Sequence, residues 1–267
     1  MKFQSAINYQ FNNLTLYLSN QIKLFIFKKG GYMPVYSNKE FIRIMRPLPK
    51  YVKRDLYGIP IIEPTDIDIS AINNGLWLIN MKNVSARDKC PGRKIVHSFC
   101  YDDVLRSAYN NPYAYLSRVA PYYAVASFDF TMDEKMDFKQ ILDAVYDNRW
   151  IGAFMQANGK LVIPTVGWVN KDTYDLCFAG LRDGGVFIIS TLGVNNNDCR
   201  EGFLDGYNEM RRRFPKTKII SVGNRIEGMD DDICYVTYEE SFGSSDRHQD
   251  MLQPKLFNWD MSIPKGE

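Results

Sequence analysis

One carboxylate draws attention first. Asp129 follows an apolar run and stands between Phe128 and Phe130. An acid at the end of a buried strand can bind a metal, move a proton or hold a ligand hydroxyl. A cap for the turn over residues 131–135 is the competing use of the same side chain. Further polar residues recur at comparable places. His97 lies in the apolar run 95–99, Thr165 in 161–166, Ser190 and Thr191 at the end of 186–190, and Asn224 just past 219–222. Trp168 follows Thr165 by three positions. Its flat face suits a sugar or a base, and equally a lid over the core. The link from Ser190 to Asp198 joins an apolar run to a helix start, where free amides could take an anion. Asn197 or Asp198 as an ordinary N-cap fits those residues as well.

Several chemistries are excluded by residue type. Two histidines, His97 and His248, cannot build a three-histidine zinc centre or a zinc-protease helix. The five cysteines form no paired motif and no framework, which suits a reducing compartment. Cys177, between Leu176 and Phe178, reads as a buried thiol with no base beside it. There is no Walker-type phosphate loop, no glycine-rich dinucleotide fingerprint and no nucleophile elbow. Asp230, Asp231 and Asp232 read as a solvated turn. Arg211, Arg212 and Arg213 suit a helix C-terminus, where cations complement the helix dipole. No metal site and no cofactor is assigned.

A second cluster is cationic. Lys39, Arg43, Arg46, Lys50, Lys53 and Arg54 face one nearby acid, Glu40, and Pro47 and Pro49 forbid a continuous helix. This reads as an arm whose Arg43, Arg46, Lys50, Lys53 and Arg54 could touch a nucleic-acid backbone. Snorkelling side chains on a solvated arm are the plainer alternative. The whole chain, with 33 basic and 31 acidic residues among 267, lacks the basic excess of a dedicated nucleic-acid coat.

These side chains need a scaffold, and the hydrophobic pattern suggests one. Apolar runs at 76–81, 95–99, 123–128, 161–166, 186–190, 219–222 and 233–236 read as strands. The run Val186-Phe187-Ile188-Ile189 is apolar on both faces, as in a parallel sheet covered on both sides. Helical spacing appears at 102–109, 138–158 and 198–214. Asn158-Gly159 and Pro215 supply stops for the last two. The expectation is an α/β fold of repeated β-α units with a mainly parallel sheet. An incomplete or distorted TIM-like barrel is preferred, with an open Rossmann-like three-layer sheet as the alternative. Either architecture gathers a ligand site at the strand C-terminal ends. That rule nominates Asp129, His97, Thr165, Trp168, Ser190, Thr191 and Asn224.

The domain expectation is an N-terminal extension and basic arm over 1–57, one α/β domain over 58–240 and a docking tail over 241–267. Met33 is a possible true start. Leu256, Phe257 and Trp259 are expected to dock the tail. Hydrophobic residues at 45% and charged residues at 24% exclude global disorder. The apolar stretch 14–27 is broken by Asn20, Gln21 and Lys23, so neither a membrane span nor a signal peptide is expected.

The stretch from about residue 58 to 224 resembles domain-of-unknown-function family 4417, from phages, prophages and mobile elements of low-GC bacteria. Ser127-Phe128-Asp129-Phe130, Met136, Gln140, Asn148-Arg149, Gln156 and 163–168 (Ile-Pro-Thr-Val-Gly-Trp) carry the resemblance. It continues through Phe178-Ala179-Gly180, 190–194 and 206–210. Where the family often has Pro after the Met of the middle helix start, this chain has Asp137. The resemblance implies a phage or mobile-element origin and a cytoplasmic setting in a bacterial host, and implies no activity. The preferred expectation is a protein that binds or processes a nucleotide, sugar or phosphate-bearing small molecule. The alternative is a noncatalytic accessory factor of DNA replication or host takeover that uses the basic arm.

Overall fold

The computed structural model describes residues 38–194 and 197–243. The possible start at Met33, the caps Asn197 and Asp198 as side chains, and the tail residues Leu256, Phe257 and Trp259 lie outside what is described. The chain divides into a short unit, Met1–Phe41, and a large one, Ile42–Glu267. Of the first, the described part is the opening of helix α1 (Asn38–Met45).

Seven strands form among the described residues, five inside the apolar runs and two, β2 and β6, starting on the lysine just before theirs: β1 (Trp77–Asn80), β2 (Lys94–His97), β3 (Ala124–Ala126), β4 (Leu161–Ile163), β5 (Val186–Ser190), β6 (Lys218–Val222) and β7 (Cys234–Val236). Every pairing is parallel and follows chain order, β1 to β4 in one ladder and β5 to β7 in a second. Just past β4, Thr165 bridges to Ile188 of β5, and Ile188 N–H donates to the Pro164 carbonyl at 3.0 Å. The strand order is therefore sequential, as in a TIM-like barrel rather than an open doubly wound sheet. Inward side chains from all seven strands share one apolar cluster, which includes Leu78, Ile95, Ala126, Ile163, Ile188, Ile220 and Val236. Two outer clusters pack the helices against the other sheet face.

No ladder joins β7 back to β1 among the described residues, so the barrel stays open there. The short helix α7 (Tyr238–Phe242) packs against β1 at this seam. A Thr237–Glu240 capping box starts it, in which the threonine hydroxyl accepts from the Glu240 amide. Asn83 then donates to the carbonyls of Phe242 and Gly243 at 2.8 and 2.7 Å.

Helices α2 (Asp102–Asn110) and α3 (Pro112–Val119) link β2 to β3. The helix read from sequence at 102–109 is α2. Its neighbour α3 begins on Pro112, where the missing N–H costs no intrahelical bond. Helix α4 (Phe138–Ala157) starts in a reciprocal box between Asp137 and Gln140 and stops at Asn158-Gly159, where Gly159 takes φ +83°. Asp137 is thus this helix's N-cap. Short α5 (Tyr174–Cys177) and long α6 (Asn197–Arg213) flank β5. Among the described residues no helix is long and apolar enough to cross a membrane.

Candidate functional site

Parallel strands place all their C-terminal ends on one end of the sheet, and the loops that follow carry the polar side chains. At the end of β3 the backbone peels away from the ladder, and side chains take over the bonding. The Ser127 carbonyl accepts from the hydroxyls of both Ser98 and Thr165, each at 2.6 Å. The Ser127 hydroxyl accepts from the Thr165 amide at 2.8 Å and donates to Asn148 Oδ1 at 2.9 Å. Asn148 Nδ2 closes the network by donating to the Phe128 and Thr165 carbonyls. These groups are buried and mutually satisfied, which makes the strand ends rigid.

Arg149, next on α4, is buried with no carboxylate among its hydrogen-bond partners. Its guanidinium donates to the carbonyls of Ala179 at 2.9 Å, Cys177 at 2.8 Å and Thr165 at 3.2 Å, and to Asn148 Oδ1 at 2.5 Å. Burial lowers its pKa to about 10. The pair clamps β3, β4 and α5 together. Its signal in the sequence is two adjacent polar residues inside the apolar stripe of α4.

Asp129 sits on this platform. Its amide donates to the Ser98 hydroxyl at 3.1 Å, and the residue is half-buried. Among the described residues no hydrogen bond reaches its carboxylate. Burial, and secondarily the charge of Asp102, push its pKa up to about 7. Asp102 itself is engaged: it accepts from the Thr131 amide at 3.1 Å and the Thr131 hydroxyl at 2.9 Å. Thus Asp102, not Asp129, caps the loop after β3. The same end holds Cys100, whose thiol is pushed up to about 11 by burial, with Asp129, Asp103 and Asp102 adding to the rise and Lys82 opposing it. Exposed Tyr101 carries the ammonium of Lys82 5.3 Å from its ring centre. None of Lys82, Cys100, Tyr101 and Asp102 was nominated from sequence, because nothing local distinguishes them from ordinary loop residues.

The other nominated residues fall into three environments. His97 is wholly buried, with Nε2 against the Ser241 carbonyl at 2.9 Å and Nδ1 accepting from the Phe99 amide at 3.3 Å. Burial lowers its pKa to about 4. Thr165 is spent on the Ser127 carbonyl, as described. Neither has a ring nitrogen or hydroxyl directed at solvent. The Trp168 ring packs 5.1 Å from Phe203 and 6.3 Å from Phe178, over Gly206 of α6. At the β5 and β6 ends, Thr191 donates to the Asn224 carbonyl at 2.7 Å and Ser190 to the Val222 carbonyl at 3.3 Å. The Asn224 residue is exposed. The hydrogen bonds of these strand ends thus fall into two local networks, one joining Ser98, Ser127, Asp129 and Thr165 and one joining Ser190 and Thr191 to the end of β6. Among the described residues no cluster of three or more His, Cys, Asp or Glu could hold a metal ion.

Of the basic arm, Arg46 turns inward. It donates to the Tyr109 carbonyl at 2.7 Å and to Asn110 Oδ1 at 3.1 Å, and its guanidinium stacks 3.7 Å from the Tyr109 ring centre. Its own carbonyl accepts from Trp150 Nε1. Burial lowers its pKa. Arg43, Lys50, Lys53 and Arg54 are exposed.

Sequential parallel strands, an open seam and a polar end define a class, the incomplete β/α barrel. Within it, the chain belongs to the family described as Domain of unknown function (DUF4417), whose pattern matches residues 51–239. It is similar to Gene 1 protein of Mycobacterium phage L5, 30% identical over 168 residues, covering 62% of this chain and 71% of that one. It is also similar to Gene 1 protein of Mycobacterium phage D29, 30% identical over 137 residues. That match covers 51% of this chain and half of the phage protein. These relatives are phage proteins. No solved structure matches the chain.

Proposed function

We propose that the protein binds or processes a small polar molecule at the ends of β1, β2 and β3, with Asp129 as the acid–base group. The ligand class is a nucleotide, sugar or phosphate-bearing metabolite. The observation that carries this reading is the Asp129 carboxyl. It has no hydrogen-bond partner among the described residues, and the residue is half-buried at the strand end. Its pKa of about 7 lets it take or give a proton at neutral pH. Exposed Lys82 and Tyr101, which flank Cys100 in the loops after β1 and β2, supply a cation for an anionic group and an aromatic face for a flat one. His97 and Thr165 serve as positioning residues, since their polar atoms hold the backbone from which this end is built. Ser190, Thr191 and Asn224 belong to the neighbouring strand ends and are offered as secondary contacts for a larger ligand.

The test is thermal stabilisation of the purified protein by a panel of nucleoside monophosphates, sugar phosphates and inorganic phosphate. At least one compound is expected to raise Tm, and Asp129→Asn is expected to abolish that increment. An increment that survives Asp129→Asn unchanged would remove Asp129 from the site.

A further inference from the structure

Away from the strand ends, residues 53–61 form a short antiparallel hairpin. Asp55 N–H donates to the Ile59 carbonyl at 3.0 Å, Ile61 N–H donates to the Lys53 carbonyl at 2.9 Å, and Arg54 bridges Pro60. The turn is held from within. Asp55 Oδ1 accepts from the amides of Tyr57 and Ile59, each at 2.9 Å. Gly58, at φ +74°, returns its N–H to the Asp55 carbonyl at 3.1 Å, and Arg54 Nη1 donates to the Gly58 carbonyl at 2.7 Å. An aspartate at the start of a turn and a glycine at its left-handed position are the residues this geometry demands.

This fixed turn displays apolar side chains to water. Leu56 is fully exposed at the tip, Tyr57 is 58% exposed and Tyr51 is 70% exposed on the approach. Beside the hairpin opens a largely apolar groove of about 230 Å³, lined by Tyr51, Val52, Lys53, Ile61, Ala153 and Ala157 among others. The charge around these groups is one-sided. From residue 43 to 63 the chain carries five cations and two carboxylates. Asp55 is consumed by the turn, and among the described residues Glu63 makes only long exposed pairs of 3.4 Å with Lys53 and Arg182.

We propose that this hairpin and groove form a contact surface for single-stranded nucleic acid. Lys50, Lys53, Arg54 and Arg43 meet phosphates, Tyr51 and Tyr57 stack on bases, and Leu56 wedges between neighbouring bases. Arg46 takes no part, being spent on Tyr109 and Asn110. Cations interleaved with aromatics suit a strand in which phosphate and base alternate. A duplex hides the base faces that Tyr51 and Tyr57 require, so the single strand is the partner of choice. This surface shares no residue with the Asp129 site and stands independently of it.

Fluorescence anisotropy with a labelled mixed-sequence 20-nucleotide DNA and the full chain tests the proposal. Binding should weaken about 50-fold between 50 and 200 mM salt, as neutralisation of about four phosphates on a single strand requires. Leu56→Ser with Tyr57→Ala should weaken binding about tenfold or more with the salt dependence kept. Lys50→Gln with Lys53→Gln should weaken binding and flatten the salt dependence. Both variants leave the hairpin's internal bonds in place, and an unchanged Tm verifies that they fold. The proposal is overturned by absence of binding at low salt, by preference for the duplex, or by affinity indifferent to both variants. Binding to anionic lipid vesicles without binding to the oligonucleotide overturns it as well.

Discussion

His97 Nε2 and the Ser241 carbonyl meet at 2.9 Å although 144 residues separate them. The Phe99 amide donates to Nδ1, so the neutral ring carries its proton on Nε2 and donates it to Ser241. This bond fastens α7 over the seam between β7 and β1. His97→Ala leaves that carbonyl unpaired and opens a void, at an expected cost of about 3 kcal/mol. His97→Gln, which keeps a donor, should lose less. Denaturant titration measures both, and hydrogen exchange at residues 239–243 shows whether α7 is released. The pKa of about 4 lies below the ordinary 6.5, so the unfolded chain binds the proton more readily. Stability should therefore fall as pH drops from about 6.5 toward 4, and His97→Gln should flatten that limb.

Asp129 carries the opposite linkage. Its folded pKa of about 7 lies above the ordinary 3.8, so the folded state holds the proton more tightly. Its contribution to stability should decline as pH rises from about 4 to about 7. Asp129→Asn removes the charge but keeps the shape. It should be more stable than the parent at pH 8, on the order of 1–3 kcal/mol, and equal to it below pH 4. Melting curves across pH decide this. A variant less stable at pH 8 would show that the carboxylate is held by an attractive partner.

Arg149 tests the clamp. Arg149→Met preserves much of the volume but strips donors from the Ala179, Cys177 and Thr165 carbonyls. The expected loss is about 3 kcal/mol, because hydrogen bonds from a charged donor are the stronger kind and their acceptors stay buried. Equilibrium unfolding of the variant measures it, and a change under about 1 kcal/mol would mean that water replaces the guanidinium.

Gly206 and Trp168 should be coupled. A Cβ at 206 would meet Cδ1 of the indole at 2.1 Å, with Nε1 at 2.3 Å, closer than packed atoms approach. Gly206→Ala should cost about 2 kcal/mol through the forced shift of ring or helix. In a Trp168→Ala background the same substitution should be nearly neutral or stabilising. A double-mutant cycle by denaturation reads the coupling, and additive effects would show that the ring is not seated on α6.

Much of the scaffold is legible in the residues themselves. The run Val186-Phe187-Ile188-Ile189 is apolar on both faces because both faces of β5 are covered. The β-α rhythm announces a mainly parallel α/β fold, while the choice of an incomplete barrel over an open sheet came from the strand order. Asn158-Gly159 ends α4 as read. Short α7 was not foreseen, because five residues hold too little periodicity to register. The candidate site was legible only as a place. The rule that loops after parallel strands carry chemistry leads to Asp129, but it cannot tell which neighbours approach it. Trp168 was nominated by position along the chain; that its ring is seated over Gly206 is a tertiary fact the sequence did not show.

By itself, the sequence determined the local elements, because periodicity, caps and turn residues act within a few positions. It also determined their class, because runs apolar on both faces admit few arrangements. Only the tertiary structure decided which end residues share a site, where the barrel stays open and which cations face inward. Those outcomes depend on contacts such as His97 with Ser241 and Arg46 with Tyr109, where partners distant in the chain meet once apolar faces have chosen how to pack.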